Sequence, residues 1–82
     1  MIKLYTSPTC SLCPGVQEQL EAAGLTYKLM DVSRPEAREE LFSHGVRAVP
    51  YLHAINAHGS DYKALGSGIN ITSLKEFLNV PS

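Results

Sequence analysis

The sequence predicts an α/β fold in which a four-stranded mixed sheet packs against three helices, with its elements in the order β-α-β-α-β-β-α. Apolar residues alternate with polar ones at the start of the chain and then recur at helical spacing. Gly, Pro, Asn and Ser separate the periodic segments from one another. The 82 residues contain no repeat, no low-complexity tract and no long linker. We therefore expect a single domain that covers residues 1–82.

The first two strands and the helix between them are predicted to form a βαβ unit. Residues 2–6 predict a strand, because Ile and Leu alternate with Lys and Tyr over this segment. Apolar residues at helical spacing predict the first helix over residues 12–23, and Gly24 stands where this helix would end. Residues 26–32 are rich in strand-favouring types, so a right-handed crossover and parallel pairing of the two strands are expected.

Two further helices are predicted from their caps and their apolar faces. Ser33 and Glu36 have the spacing of a capping box, and the second helix would end at Gly45. Asn70 or Thr72 would cap the third helix. The predicted buried faces contain Ala37, Leu41 and Phe42 in the second helix and Leu74, Phe77 and Leu78 in the third.

A β-hairpin is predicted between the second and third helices. Pro50 precedes a strand over residues 51–55, where a missing N–H is tolerated at the strand start. Residues 58–61 are typical of a turn, and residues 62–65 would return as the antiparallel partner. Because the hairpin is antiparallel and the βαβ unit is parallel, the sheet is expected to be mixed.

Charge and the amino terminus argue against two classes of partner. The net charge is -1 and the chain has no run of Lys or Arg, so a nucleic-acid or anionic-membrane surface is not expected. The amino terminus lacks an apolar stretch long enough for a signal peptide or a membrane anchor. We therefore expect a cytoplasmic protein.

Cys10 and Cys13 are the only cysteines, and they form a C-x-x-C motif between the first strand and the first helix. In a reducing compartment such a pair is more often catalytic or metal-binding than structural. A disulfide that closes a loop of four residues would stabilise the fold by only about 2 kcal/mol in the chain-entropy model. The motif therefore predicts a dithiol that cycles between reduced and oxidised forms.

The chemistry of disulfide exchange gives the two cysteines different roles. A thiolate attacks a disulfide, so Cys10 is expected to be ionised and accessible, whereas Cys13 need only approach Cys10. If Cys10 is the N-cap of the first helix, the amides of Leu12 and Cys13 and the helix dipole should lower the pKa of Cys10. Cys10 would form a mixed disulfide with the target, and Cys13 would then break it.

Three motifs together resemble the glutaredoxin class of proteins. They occur in order over nearly the whole chain: Tyr5-Thr6 leading to Cys10-Ser11-Leu12-Cys13, then Val46-Arg47-Ala48-Val49-Pro50, then Ser67-Gly68-Ile69-Asn70. The resemblance implies a thioredoxin-like fold and a thiol-disulfide oxidoreductase. It also implies a cis bond before Pro50 that faces the cysteines, with the Val49 backbone pairing with an extended substrate segment.

Two further substrate contacts are predicted near these motifs. Gly68 permits close backbone approach, and the amides that follow Ser67-Gly68 could hold a carboxylate, although the segment also fits an ordinary turn and cap. Arg47 lies near Pro50 in the sequence and is a candidate for docking an acidic partner or a peptide carboxylate; the alternative is a merely solvated arginine.

Within this class the chain is most similar to the glutaredoxin-like redoxins that supply electrons to ribonucleotide reductase and are re-reduced by NADPH-dependent thioredoxin reductase. The resemblance implies a monomer with no bound cofactor and a disulfide-containing protein substrate, with ribonucleotide reductase as a candidate. Ordinary glutaredoxins, which use glutathione, are the alternative. They carry a basic residue, an aromatic residue and paired acids where this sequence has Ser7, Leu12 and Asn70-Ile71.

Three other functions stay open. The cysteines could bind zinc together with His44, His53 or His58, although the spacing fits no zinc-finger pattern. An iron-sulfur cluster bridged between two copies is a second alternative, because some glutaredoxin-class proteins hold one with glutathione as co-ligand. The third is an adaptor that binds a partner through the Pro50 edge without redox chemistry.

Overall fold

A computed structural model describes residues 1–79. Its elements are β1 (Ile2–Thr6), α1 (Cys13–Ala22), β2 (Lys28–Asp31), α2 (Pro35–Ser43), β3 (Tyr51–Ile55), β4 (Asp61–Leu65), a 3₁₀ turn (Gly66–Gly68) and α3 (Ile71–Leu78). The predicted order of strands and helices is confirmed, and the last three residues of the predicted domain lie outside the described residues. No helix among residues 1–79 is long and apolar enough to span a membrane.

The four strands form one mixed sheet in the order β2-β1-β3-β4. β1 and β2 are parallel, as the βαβ prediction required. β3 is antiparallel both to β1 and to β4. The predicted mixed sheet is thereby confirmed, and the pairing of β1 with β3 places the hairpin directly beside the first strand.

Strand register brings three loops to one end of the sheet. Tyr5 near the end of β1 lies opposite Tyr51 at the start of β3, and Tyr51 lies opposite Leu65 at the end of β4. The segments 7–12, 45–50 and 66–70 therefore meet at this end, which we call the site edge. A hydrogen bond of 2.8 Å from the Gly66 N–H to the Pro50 carbonyl joins the second loop to the third.

The sheet separates two hydrophobic clusters, because successive residues of a strand point to opposite faces. The cluster shared with α1 and α3 contains Ile2, Leu4, Val16, Leu20, Leu52, Ala54 and Leu74. The cluster shared with α2 contains Tyr5, Leu41 and Tyr51, with Met30, Val32, Val46 and Val49 packed against it. The loops 7–12 and 45–50 are thus attached to the largely buried strands β1 and β3, whereas the loop 66–70 follows the more exposed strand β4.

Two predictions about α2 are wrong. Its N-cap is Arg34 and no side chain caps it, because the N–H and hydroxyl of Ser33 donate instead to the Asp31 carboxylate, at 2.9 and 2.7 Å. Asp31 lies two residues before Ser33, so this local turn competes with the capping box. Phe42 is 46% exposed rather than buried. It follows the buried Leu41, and a step of one residue turns the side chain about 100° around the helix, away from the sheet.

The C-terminal end of α1 and the N-terminal end of α3 are formed by residues that the sequence predicted for them. Gly24 has φ +71°, the left-handed conformation that commonly ends a helix and that glycine adopts without strain. The Asn70 side chain accepts a hydrogen bond of 3.1 Å from the Ser73 N–H, so Asn70 is the N-cap of α3. The alternative cap, Thr72, lies inside the first turn of that helix.

Candidate active site

A disulfide joins Cys10 to Cys13 at the site edge, with a Cα–Cα distance of 5.5 Å. The structure therefore describes the oxidised form of the motif. Cys10 is partly exposed, whereas Cys13 is 2% exposed and lies in the first turn of α1. A partner would reach Cys10 more readily than Cys13.

The start of α1 differs from the prediction that Cys10 is its N-cap. The N-cap is Leu12, and the Cys10 N–H instead donates to the Ser7 carbonyl at 3.1 Å. Because residues 7–10 close this turn, Cys10 ends the turn and the helix begins only at Cys13. Of the two predicted amide contacts one is present, since the Cys13 N–H donates to the Cys10 Sγ at 3.1 Å, whereas the Leu12 N–H forms no hydrogen bond with this sulfur among residues 1–79.

Pro14 is tolerated at the start of α1, where it occupies the second helical position. The first N–H groups of a helix have no partner within the helix, so a residue without an N–H loses no hydrogen bond there. Proline also fixes a φ that suits the first turn. The helix terminus beside the disulfide is therefore compatible with this sequence.

The Val49-Pro50 peptide bond is cis, as the resemblance implied. Pro50 is buried and its carbonyl accepts the Gly66 N–H, whereas Val49 is only partly buried. Among residues 1–79, no group forms a hydrogen bond with the Val49 N–H or carbonyl. The register that opposes Tyr5 to Tyr51 places this backbone next to the loop of Cys10.

The predicted segment Ser67-Gly68 forms the 3₁₀ turn at the site edge, and both residues are exposed. A groove of about 230 Å³ lies between this turn and the first turns of α1. Its lining consists of Leu12, Gly15, Val16, Gln19, Gly66, Ser67 and Ile69. Leu12, which lies between the cysteines, is 57% exposed. Ser67 is therefore a groove residue, whereas Gly68 and the Asn70 cap are not among the lining residues.

Arg47 is exposed, and its guanidinium carbon lies 5.4 Å from the centre of the Phe42 ring. Planar cations are attracted to aromatic faces at such distances. The contact joins the loop before Pro50 to the end of α2. The sequence gives no sign of this pair, because the apolar pattern of α2 predicts Phe42 in the core.

Aromatic and charged side chains pack behind the site, between the sheet and α2. Tyr5 lies 5.7 Å from Tyr51 and 6.0 Å from His44, measured between ring centres. Burial raises the pKa of Tyr5, and the Glu40 carboxylate acts in the same direction. Lys3 forms an ion pair with Glu40, and this contact lowers the pKa of Glu40. Tyr5 is thus a packing residue of the second cluster.

The three histidines were considered as metal ligands. The rings of His44 and His53 are 4.7 Å apart, and His53 Nε2 lies 2.7 Å from the Asp61 carboxylate. Within the part of the chain that the structure describes, no three His, Cys, Asp or Glu side chains are grouped closely enough to hold a metal ion. His58 lies in the turn between β3 and β4.

Known proteins share this architecture. The family model described as Glutaredoxin matches residues 2–58. The crystal structure of the thioredoxin-like protein BC3987 is similar with a TM-score of 0.71 and 26% sequence identity, over 95% of this chain and 100% of that one. NrdH-redoxin from Escherichia coli, described as a glutaredoxin-like protein with a thioredoxin-like activity profile, is similar with a TM-score of 0.70 and 27% identity, over 98% of this chain and 97% of that one. A comparison with curated protein sequences gives no match. These similarities confirm the predicted thioredoxin-like fold.

Proposed function

This chain belongs to the glutaredoxin family, and from that membership we propose that it is a dithiol electron carrier that reduces disulfides in other proteins. The observation that carries the proposal is the Cys10–Cys13 disulfide at the start of α1, with the Cys13 N–H directed at the Cys10 sulfur. A pair so placed can be opened by a reductase and closed again by a target.

The proposed reaction begins with the reduced dithiol. The Cys10 thiolate attacks one sulfur of a target disulfide, so that a Cys10–target bond forms and the target's own bond breaks. The departing target thiolate takes up a proton. The Cys13 thiolate then attacks the Cys10 sulfur, the mixed disulfide breaks, and the second target thiolate is released. Two electrons have passed to the target, and the Cys10–Cys13 disulfide is left behind.

Local structure supports the choice of Cys10 as nucleophile. An N–H that points at a sulfur favours the thiolate over the thiol, and the positive end of a helix dipole acts in the same sense. Cys13 is buried one helical turn away, where it can reach Cys10 but is screened from a large partner. The difference in exposure therefore matches the proposed order of attack.

The free Val49 backbone supports a docking mode for the target. An extended target segment could pair with the Val49 N–H and carbonyl as an added strand, and main-chain pairing of this kind tolerates many side chains. The adjacent groove beside Leu12 would then receive an apolar side chain of the target. Both features lie at the site edge with Cys10.

We propose thioredoxin reductase, with NADPH, as the electron source. The positions at which ordinary glutaredoxins carry glutathione-binding residues hold Ser7, Leu12 and Asn70-Ile71, and the Asn70 side chain is already used to cap α3. The thioredoxin-like activity profile of the similar NrdH-redoxin supports the same choice. Ribonucleotide reductase is the candidate target, and the cytoplasm, a reducing compartment, is the proposed setting.

A coupled assay tests this function. The oxidised protein is supplied either with thioredoxin reductase or with glutathione and glutathione reductase, and NADPH consumption is followed while a protein disulfide is turned over. We expect rapid consumption with thioredoxin reductase and slow consumption with glutathione. The reverse order would assign the chain to the glutathione-dependent glutaredoxins, and no consumption in either system would contradict a redox function.

A further inference from the structure

We infer that Arg47 and Phe42 form a recognition pair that selects disulfides flanked by an acidic side chain. This inference rests on the proposed function, because it concerns which protein disulfides the Cys10–Cys13 pair reduces. It adds a substrate class to that function: a segment with Asp or Glu within a few residues of the attacked cysteine.

Charge is unevenly distributed among the loops of the site edge. The loops 7–12 and 66–70 contain no charged residue, and the loop 45–50 contains one, Arg47. Interactions between charges decay with distance and are screened over about 8 Å at physiological ionic strength. A target segment lying along these loops would therefore meet a single strong charge, and that charge is positive.

The connection between β2 and α2 also ends at the site edge, but its charges balance. Asp31 and Arg34 lie three residues apart there, and the positive charge of Arg34 helps to lower the pKa of the Asp31 carboxyl, after the hydrogen bonds from Ser33. β2 is the outer strand of the sheet, on the far side of β1 from Pro50. Because the charges of Asp31 and Arg34 have opposite sign, this pair does not offset the positive charge of Arg47.

The two side chains of the recognition pair lie close together at the surface. The guanidinium lies 5.4 Å from the ring centre of Phe42, and both residues are exposed. A guanidinium has five N–H donors, and attraction to a ring face leaves these donors able to bind a carboxylate. No ion pair joins Arg47 to a carboxylate among residues 1–79. Arg47 is thus a cation held beside an aromatic ring, and no carboxylate within the described part of the chain pairs with it.

The position of Arg47 relative to Val49 determines how far from its cysteine the target would carry the acidic residue. Arg47 lies two residues before Val49, and a chain spans at most about 3.6 Å per residue. A target segment paired with the Val49 backbone would therefore carry the residue that meets Arg47 about two or three positions from its attacked cysteine. Phe42, exposed despite its apolar side chain, would cover the aliphatic part of that acidic residue.

Matched disulfide peptides test the inference. Each peptide carries Glu, Gln or Lys at the second or third position on either side of one cysteine, and its reduction by the reduced protein is followed by release of a fluorescent half. At low salt we expect the Glu peptide to be reduced about two to five times faster than the Gln peptide at one of these positions, the effect of one exposed charge pair. The Lys peptide should be slower than the Gln peptide.

Three variants and one control identify the residues responsible. Arg47→Gln should remove the preference for Glu, and Arg47→Glu should reverse it in favour of Lys. Phe42→Ala should weaken the preference for Glu over Gln, because the ring that holds the Arg47 guanidinium is gone. Lys28→Gln, at an exposed lysine that begins β2 at the opposite end of the sheet, is the control and should keep the wild-type preference. Added salt should shrink the preference in the wild type.

Two results would overturn the inference. Equal rates for the Glu, Gln and Lys peptides in the wild type would show that no acid is recognised, while leaving the proposed redox function intact. A preference that survives unchanged in Arg47→Gln would assign it to other residues. Failure to reduce any peptide would instead contradict the proposed function, and the inference would fall with it.

Discussion

The main-chain N–H of Cys13 lies 3.1 Å from the Cys10 Sγ and donates to it, although Cys10 is not the N-cap of α1. A turn over residues 7–10 positions the sulfur, and the helix begins three residues later, so that its first amide points back at the sulfur. The contact is made by the main chain of the C-x-x-C motif, so it depends on the spacing of the two cysteines and on no other side chain. It requires no basic side chain, and the loop 7–12 contains none.

Reduced Cys10 is therefore expected to ionise more readily than an ordinary thiol, whose pKa is about 8.5. Alkylation of the reduced protein by iodoacetamide, followed by mass spectrometry over a range of pH, should show a reaction midpoint for Cys10 below about 8.5. Cys13 should be alkylated more slowly than Cys10, because its side chain is buried. A midpoint equal to that of an unstructured peptide, or prior alkylation of Cys13, would contradict the assignment of Cys10 as nucleophile.

Serine substitutions should separate the two steps of the exchange. Cys13→Ser is expected to accumulate a covalent Cys10–target disulfide, because the residue that would break that bond is gone. Cys10→Ser should abolish turnover and trap nothing. Non-reducing electrophoresis measures the covalent complex, and dithiothreitol should release the target by reducing the mixed disulfide. Equal turnover in the two variants would refute the proposed order of attack.

Local patterns predicted the elements of this fold because each element depends on a few neighbouring residues. Alternation predicted β1, and Gly24 at φ +71° ends α1 where the sequence placed it. The error at the start of α2 arose where two local interactions compete. Ser33 could cap α2 or bond to Asp31, and only the folded backbone shows that Asp31 is the partner.

The candidate site was predicted less completely, because its parts are distant in the sequence. The C-x-x-C motif is local and was found directly, and the loop before Pro50 was found by resemblance. The groove beside Leu12 was not, since Ser67 and Ile69 reach its other wall only through the register of β3 and β4. The approach of the Arg47 guanidinium to the Phe42 ring is also a contact that no short sequence pattern indicates.

Removal of the α3 cap should destabilise the protein measurably. The Asn70 side chain satisfies the Ser73 N–H, and loss of such a cap costs about 1 kcal/mol. Asn70→Ala should therefore lower the free energy of unfolding by about that amount in urea titrations. Thr72→Ala is the matched control and should have a smaller effect, because Thr72 lies within the helix. Equal losses in both variants would mean that Asn70 does not stabilise α3 through its side chain.

Because of His44, the free energy of unfolding should decrease as the pH is lowered below neutral. Burial, together with the nearby charges of His53 and Lys63, lowers the pKa of His44 below its ordinary value of 6.5, so the folded protein resists protonation of this ring. As the pH falls through 6.5, His44 is protonated in the unfolded chain before it is protonated in the folded protein. The free energy of unfolding therefore decreases, until the pH reaches the lowered pKa of His44 in the folded state. Above 6.5 this group should have no effect. Carboxyl groups with lowered pKa, such as Glu40, act only at more acidic pH.

Urea unfolding between pH 5 and pH 8 measures this contribution. The wild type should lose stability as the pH is lowered through this range, and His44→Gln should lose less, because glutamine does not titrate. Lys63→Gln should also lose less than the wild type, since removal of this cation lets the pKa of His44 in the folded protein rise toward its ordinary value. The ring of His44 touches those of Tyr5, Tyr51 and His53, so its protonation would place a charge against the second hydrophobic cluster. A pH dependence that is the same in the wild type and in His44→Gln would place the responsible group elsewhere.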